Sequence, residues 1–217
     1  FPTHPKPLHP TDLSPESAFG FSFLDRWYCR RQMEESRWEG IFTPFGTEPT
    51  LQTPHTAGGM NWGGVALDEE RGLMVVNQTH AALVNELIPR EVADTLDPAD
   101  FVYPDEYYEM KGTPYAVHRY LLASMFGAPC NRPPWGSLTA VDLRTGEIAW
   151  KRPLGTLREV APWPVWALFT EYGAPAFGGG ISTASGVYFI GGALDKYFRA
   201  FDIETGEELW RHRMPYA

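Results

Sequence analysis

The sequence predicts an all-β chain with helical insertions, and within it a partial β-propeller of about two four-stranded blades. Three observations carry this. From residue 60 to 77, and again from 137 onward, apolar side chains alternate with polar ones, the period of a strand. The segment Thr139-Ala-Val-Asp-Leu-Arg-Thr-Gly-Glu-Ile-Ala-Trp150 returns as Arg199-Ala-Phe-Asp-Ile-Glu-Thr-Gly-Glu-Glu-Leu-Trp210, with six identities in twelve positions. The chain of 217 residues also holds 21 Gly, 20 Pro and 8 Trp, and many turns with many large aromatics favour sheets over a helix bundle.

The elements follow in order. Residues 1–59 read as an extended N-terminal segment, with one helix and partial strands beside it. Four prolines in residues 1–13 remove backbone donors and fix φ, which gives an irregular entry. Ser14, Pro15 and Glu16 have the order of an N-cap, a first helical residue and an acidic first turn, so a helix is expected over about 16–35. Phe19, Phe23 and Trp27 recur at near-helical spacing and are expected to be its core stripe. The segment 60–152 reads as a blade with an insertion at 78–136. Its inner strands are a hairpin, Val65–Leu67 and Leu73–Val76 around the turn at Asp68–Gly72. Its outer strands are Ser137–Leu143 and Ile148–Lys151. Within the insertion, residues 80–100 read as helical or irregular, and 101–135 show no clear period. Residues 153–217 read as a connecting loop followed by a second blade, with strands in 181–184, 186–191, 197–203 and 207–213.

The repeat has a physical logic. Ala140 and Ala200 allow close approach between sheets. Asp142 and Asp202 accept hydrogen bonds from the turn that follows, and Gly146 and Gly206 supply its positive φ. Trp150 and Trp210 close the next strand and wedge between neighbouring sheets rather than stack on a cofactor. A ring needs several such blades, so the rest would come from further sequence or from other copies.

Charge and composition exclude some functions. Eighteen Lys+Arg against 27 Asp+Glu leave a net charge of −9, without a basic run, so no nucleic-acid partner is expected. No stretch approaches the ~20 apolar residues of a membrane span. The opening Phe1 and the lack of a signal peptide fit a piece of a longer protein. His4, His9, His55, His80, His118 and His212 are scattered without metal-ligand spacing. The acidic pairs Asp105/Glu106 and Glu69/Glu70 read as solvated turns. No catalytic or metal-ligating residue is therefore assigned. Cys29 and Cys130 admit two readings, a pair of buried thiols or one long-range disulfide.

The pattern Ala140-x-Asp142-x-x-Thr145-Gly146-x-x-x-Trp150 resembles the tryptophan-docking motif of quinoproteins, the dehydrogenases that depend on pyrroloquinoline quinone (PQQ). Met60-Asn61-Trp62-Gly63-Gly64-Val65-Ala66-Leu67-Asp68 is similar to their membrane-bound glucose and quinate dehydrogenase branch. So are Asn77, Glu86-Leu87-Ile88-Pro89-Arg90, Gly112-Thr113-Pro114-Tyr115 and Ala128-Pro129-Cys130-Asn131-Arg132-Pro133-Pro134-Trp135-Gly136. Arg37-Trp38-Glu39-Gly40-Ile41-Phe42-Thr43-Pro44 fits the same branch.

The resemblance implies a C-terminal portion of an eight-bladed periplasmic propeller, tied to the inner membrane by an N-terminal anchor. It implies PQQ and a divalent metal, usually calcium or else magnesium, on the propeller axis. A sugar or cyclic polyol would be oxidised as its hydroxyl is deprotonated and hydride passes to the quinone, with electrons leaving to ubiquinone. The general base and the cation that contacts the quinone oxygens would lie in upstream sequence. For this chain the resemblance implies cofactor contacts from Asn61, Trp62, Asn77, Phe177, Gly178 and Gly179. The branch can carry an acid at the position of Asn61, and the family often carries Trp at that of Phe177. Asn77 also reads as a strand-end cap, and Gly178 to Gly180 as a loop. A periplasmic site would favour a Cys29–Cys130 disulfide that clamps the N-terminal helix to the insertion. The other functional reading is a non-catalytic propeller scaffold for protein–protein interaction. On the enzyme reading, the 217 residues alone lack the base and most of the ring and should not turn over.

Overall fold

A computed structural model describes residues 4–56, 58–60, 62–102, 105–159 and 163–216, apart from the side chains of 165 and 170. In chain order its strands begin with β1 (Thr50–Gln52), β2 (Ala66–Asp68), β3 (Leu73–Thr79), β4 (Leu83–Pro89), β5 (Glu106–Tyr108) and β6 (Tyr115–Leu121). They continue with β7 (Gly136–Asp142), β8 (Glu147–Pro153), β9 (Gly180–Ser182), β10 (Val187–Ile190), β11 (Tyr197–Asp202) and β12 (Glu208–Arg213). The helices are α1 (Phe23–Glu34) and two single turns, α2 (Arg90–Ala93) and α3 (Val165–Leu168). The chain divides into two compact units.

The first unit comprises Phe1–Pro10, Ala57–His80 and Pro133–Ala217. It holds two four-stranded antiparallel sheets, ordered β2-β3-β7-β8 and β12-β11-β10-β9. These are the two blades that the alternation and the repeat imply. The insertion leaves β3 and returns in β7 without disturbing their pairing, which runs from Leu73↔Asp142 to Thr79↔Gly136. One core lies between the sheets. Val75, Leu138, Ala140 and Trp150 of the first blade meet Tyr188, Ile190, Phe201 and Ile203 of the second. All have relative exposures of 8% or less, so each large side chain contributes roughly 1.5–3 kcal/mol of hydrophobic stabilisation.

The repeat acts as its chemistry requires. Asp142 Oδ1 accepts from the Arg144 N–H at 2.8 Å, and Asp202 Oδ1 from the Thr205 N–H at 2.8 Å. These turn contacts hold both carboxyls below the usual carboxylate range; the first cause is the Arg144 side chain for Asp142 and the Thr205 N–H for Asp202. Gly146 and Gly206 have φ of 73° and 69°. Both copies also carry the same register shift, at Ala140/Val141 and at Ala200/Phe201. Trp150 docks on the turn of the next blade. Its Nε1–H donates to Ile203 O at 2.9 Å, and a Cβ on Gly206 would sit 2.6 Å from its ring.

The second unit comprises Thr11–Thr56 and Ala81–Arg132. Here the structure departs from the expectations. Residues 80–100, expected to be helical or irregular, also hold strand β4 ahead of the single turn α2, and the stretch without a clear period holds β5 and β6. With β1 they form a third sheet, ordered β1-β4-β6-β5. The β4–β6 ladder runs over seven residue pairs and ends on Pro89, which starts α2. Aromatic and charged residues on both faces, partly exposed, hide the two-residue period in this segment.

The helix expected over about 16–35 is two elements. Ser14 and Pro15 begin only a 3-10 turn, Pro15–Ser17. The true N-cap is Ser22, whose hydroxyl accepts from the Asp25 N–H at 3.2 Å. The chain bends between the two elements so tightly that a Cβ on Gly20 would lie 2.1 Å from Arg26 N, an approach that only glycine permits. The expected core stripe is also corrected. Phe23 and Trp27 are 81% and 56% exposed, and the buried stripe is Asp25, Cys29 and Met33. Asp25 is buried because its carboxylate accepts from two backbone N–H groups, Phe21 at 2.9 Å and Met125 at 3.1 Å. Cys29 and Cys130 form a disulfide that joins α1 to the segment after β6.

Candidate functional site

Of the residues proposed to meet a cofactor, Gly179 lies where the two blades of the first unit meet, and Asn77 reaches Ala176 on the same segment. Asn61 lies outside the described residues. Trp62, just before β2, is 98% exposed. Its neighbour Gly63 presses backbone to backbone on the start of β9. A Cβ on Gly63 would lie 2.2 Å from Gly179 Cα, and one on Gly179 would lie 2.6 Å from Gly63 Cα. A Cβ on Gly178 would lie 2.7 Å from Gly191 O. Glycine at 63 and 179 is thus set by blade-to-blade approach, and at 178 by the chain that follows β10 in its own blade.

Asn77 sits near the end of β3 with 3% exposure. Its Nδ2–H donates to Ala176 O at 3.1 Å. Thr79, two residues on and on the same face, bonds the same residue twice: its hydroxyl donates to Ala176 O and accepts from the Ala176 N–H, both at 3.1 Å. The Phe177 N–H then donates to Gly192 O at 3.1 Å. Asn77 and Thr79 therefore fix the path of Ala176–Gly179. Thr79 was not singled out from sequence; its signal was the i, i+2 spacing from Asn77, which puts both on one face of a strand.

The other face of the same ladder is polar and buried. His80 Nε2 lies 2.7 Å from Ser137 Oγ. The Ser137 and Thr139 hydroxyls donate to Gln78 Oε1 at 3.4 and 3.0 Å. Burial, helped by Lys151 and His9, pushes the His80 imidazole down to about 3, so it is neutral at ordinary pH. Among the described residues no three His, Cys, Asp or Glu side chains converge to hold a metal ion.

Sheets docked through a tryptophan on the following Thr-Gly turn, with glycine-lined inner ends, define a propeller of the quinoprotein class. The chain belongs to the PQQ-dependent glucose/ethanol/alcohol dehydrogenase β-propeller domain family, whose profile matches residues 1–217. It is 37% identical to a probable quinate dehydrogenase (quinone) of Xanthomonas campestris pv. juglandis, over 94% of this chain and 26% of that protein. It is 36% identical to the quinoprotein glucose dehydrogenase of Escherichia coli K12, with the same coverage of both chains. It is 35% identical to the quinate/shikimate dehydrogenase (quinone) of Acinetobacter baylyi, again over 94% and 26%. The chain thus spans about a quarter of the length of these relatives.

Proposed function

We propose that the protein bearing this chain is a PQQ-dependent dehydrogenase that oxidises a sugar or cyclic polyol in the periplasm and passes electrons to ubiquinone. The observation that carries the reading is the junction of Gly63 with Gly178–Gly179 beside the exposed indole of Trp62, in a chain of this family. Relatives named quinate, quinate/shikimate and glucose dehydrogenases support the substrate class, and the word quinone in two of those names supports the acceptor. The Cys29–Cys130 disulfide supports an oxidising compartment.

The residues fit a flat cofactor. The Trp62 indole, 98% exposed, offers a plane for a flat ring to pack on, and the close Gly63–Gly179 backbone contact holds the segment that carries it. When bound, PQQ supplies the electron-accepting quinone, and a calcium ion would take its ligands from outside the described residues. This chain's part is positional. Asn77 and Thr79 hold Ala176, and through it Phe177 to Gly179, at a fixed height against the first blade. The bulk of Trp62 and Phe177 would exclude water from one side of the ring. On this reading the base that takes the substrate's hydroxyl proton belongs to other blades.

The test is reconstitution of the full-length protein, made without cofactor, with PQQ and calcium, followed by dye reduction with glucose, quinate and shikimate. Turnover with at least one of these, dependent on added PQQ, is the expected result. No PQQ-dependent turnover with a broad sugar and polyol panel would overturn the reading.

A further inference from the structure

A second concave site lies in the first unit, between the loop that follows β8 and the outer strands of the second blade. It is a cavity of about 350 Å³ lined by Arg158, Trp166, Tyr197, Arg199, Glu208 and Arg211. Three guanidinium groups gather around one phenol ring. Those of Arg199 and Arg211 lie 5.2 and 5.6 Å from the Tyr197 centroid, and Arg158 Nη1–H donates to the Tyr197 oxygen at 3.3 Å.

The charges are unequally matched. Arg199, 2% exposed, pairs with the fully buried Asp195 and lies 3.2 Å from Glu208. Glu208 also lies 3.5 Å from Arg211. Glu159 is taken by Lys196 and Arg213. Among the described residues no carboxylate lies at ion-pair distance from Arg158. Its guanidinium instead rests 5.1 Å from the centroid of Trp166. A flat cation held on an indole, with its planar fork not committed to an acid, is matched to a carboxylate. The indole beside it is matched to a ring. Glu171 also lines the cavity and disfavours a second negative charge on the ligand.

We propose that this cavity binds a small organic monocarboxylate with a ring body, its carboxylate on Arg158 and its ring against Trp166. The volume falls within the range of small-ligand sites. The site shares no residue with Trp62, Asn77 or Phe177–Gly179, so the proposal is independent of the reading given above.

Benzoate and benzamide, which share a shape but not a charge, test it in the full-length protein by equilibrium dialysis at fixed ionic strength. The expected result is saturable benzoate binding with Kd of roughly 1 mM or tighter, and benzamide at least about tenfold weaker. Arg158→Gln should weaken benzoate about tenfold, Trp166→Leu should weaken it too, and Arg144→Gln, remote from the cavity, should leave it unchanged. Since Arg158 lies at the surface, its variant keeps the fold, which an unchanged thermal midpoint verifies. Absence of saturable binding, equal affinity for benzamide, or full affinity in Arg158→Gln would each overturn the proposal.

Discussion

Trp150 shows how one residue joins two sheets. Its ring covers the Gly206 turn and its indole N–H caps Ile203 O, so the apolar and polar halves of the side chain are satisfied on the same neighbour. Trp210 holds the equivalent place in the second blade. It is 50% exposed and stacks on His212 at 5.9 Å. His80 carries a different consequence. It is buried and neutral, with a native pKa of about 3 against an ordinary value of 6.5. Between those values the unfolded chain binds a proton that the native chain refuses. Stability from this group is therefore complete above about pH 6.5 and is lost as pH falls toward 3. Thermal unfolding of the full-length protein at pH 7 and pH 5 measures it. We expect the drop in midpoint between the two to be smaller in His80→Gln than in wild type. An identical drop in both would show that His80 stays solvated.

At the scale of elements, what could be read from sequence divides along the two units. The strands of both blades were legible because several of them, β3, β7, β10 and β11, place residues in the shared core, and because Thr-Gly turns mark the ends of β7 and β11. The third sheet was not, since β6 presents Tyr115, His118, Arg119 and Tyr120 at intermediate exposure and its period is blurred. The start of α1 was misread for a related reason. Ser14-Pro15 and Ser22 both have the chemistry of a cap, and what favours Ser22 includes the bond from the distant Met125 N–H to Asp25, which sequence does not name. The family motif selected Trp62, Asn77 and Phe177–Gly179, whereas the tether through Thr79 depends on a strand partner that sequence does not name.

The disulfide belongs to this scale as well. It closes a loop with a sequence separation of 101. The chain-entropy treatment gives about 4–5 kcal/mol for a loop of this size. Cys29→Ser with Cys130→Ser should speed amide hydrogen exchange in α1 and in the segment after β6, while β10 and β11 in the other unit keep their protection. Equal acceleration in β10 and β11 would show that the bond stabilises both units.

For the whole molecule, the central claim is that the inner ends of the two blades form part of a PQQ site. On this proposal the chain would contribute one wall of that site, through the Trp62 indole and the loop tethered by Asn77 and Thr79. Other blades would contribute the base and the metal ligands. A structure of the full-length protein with PQQ bound tests this most directly. The cofactor ring is expected within van der Waals contact of Trp62 or of the Gly178–Gly179 backbone, with Asn77 still bonded to Ala176. A cofactor seated against other blades, with no atom touching Trp62, Phe177, Gly178 or Gly179, would contradict it.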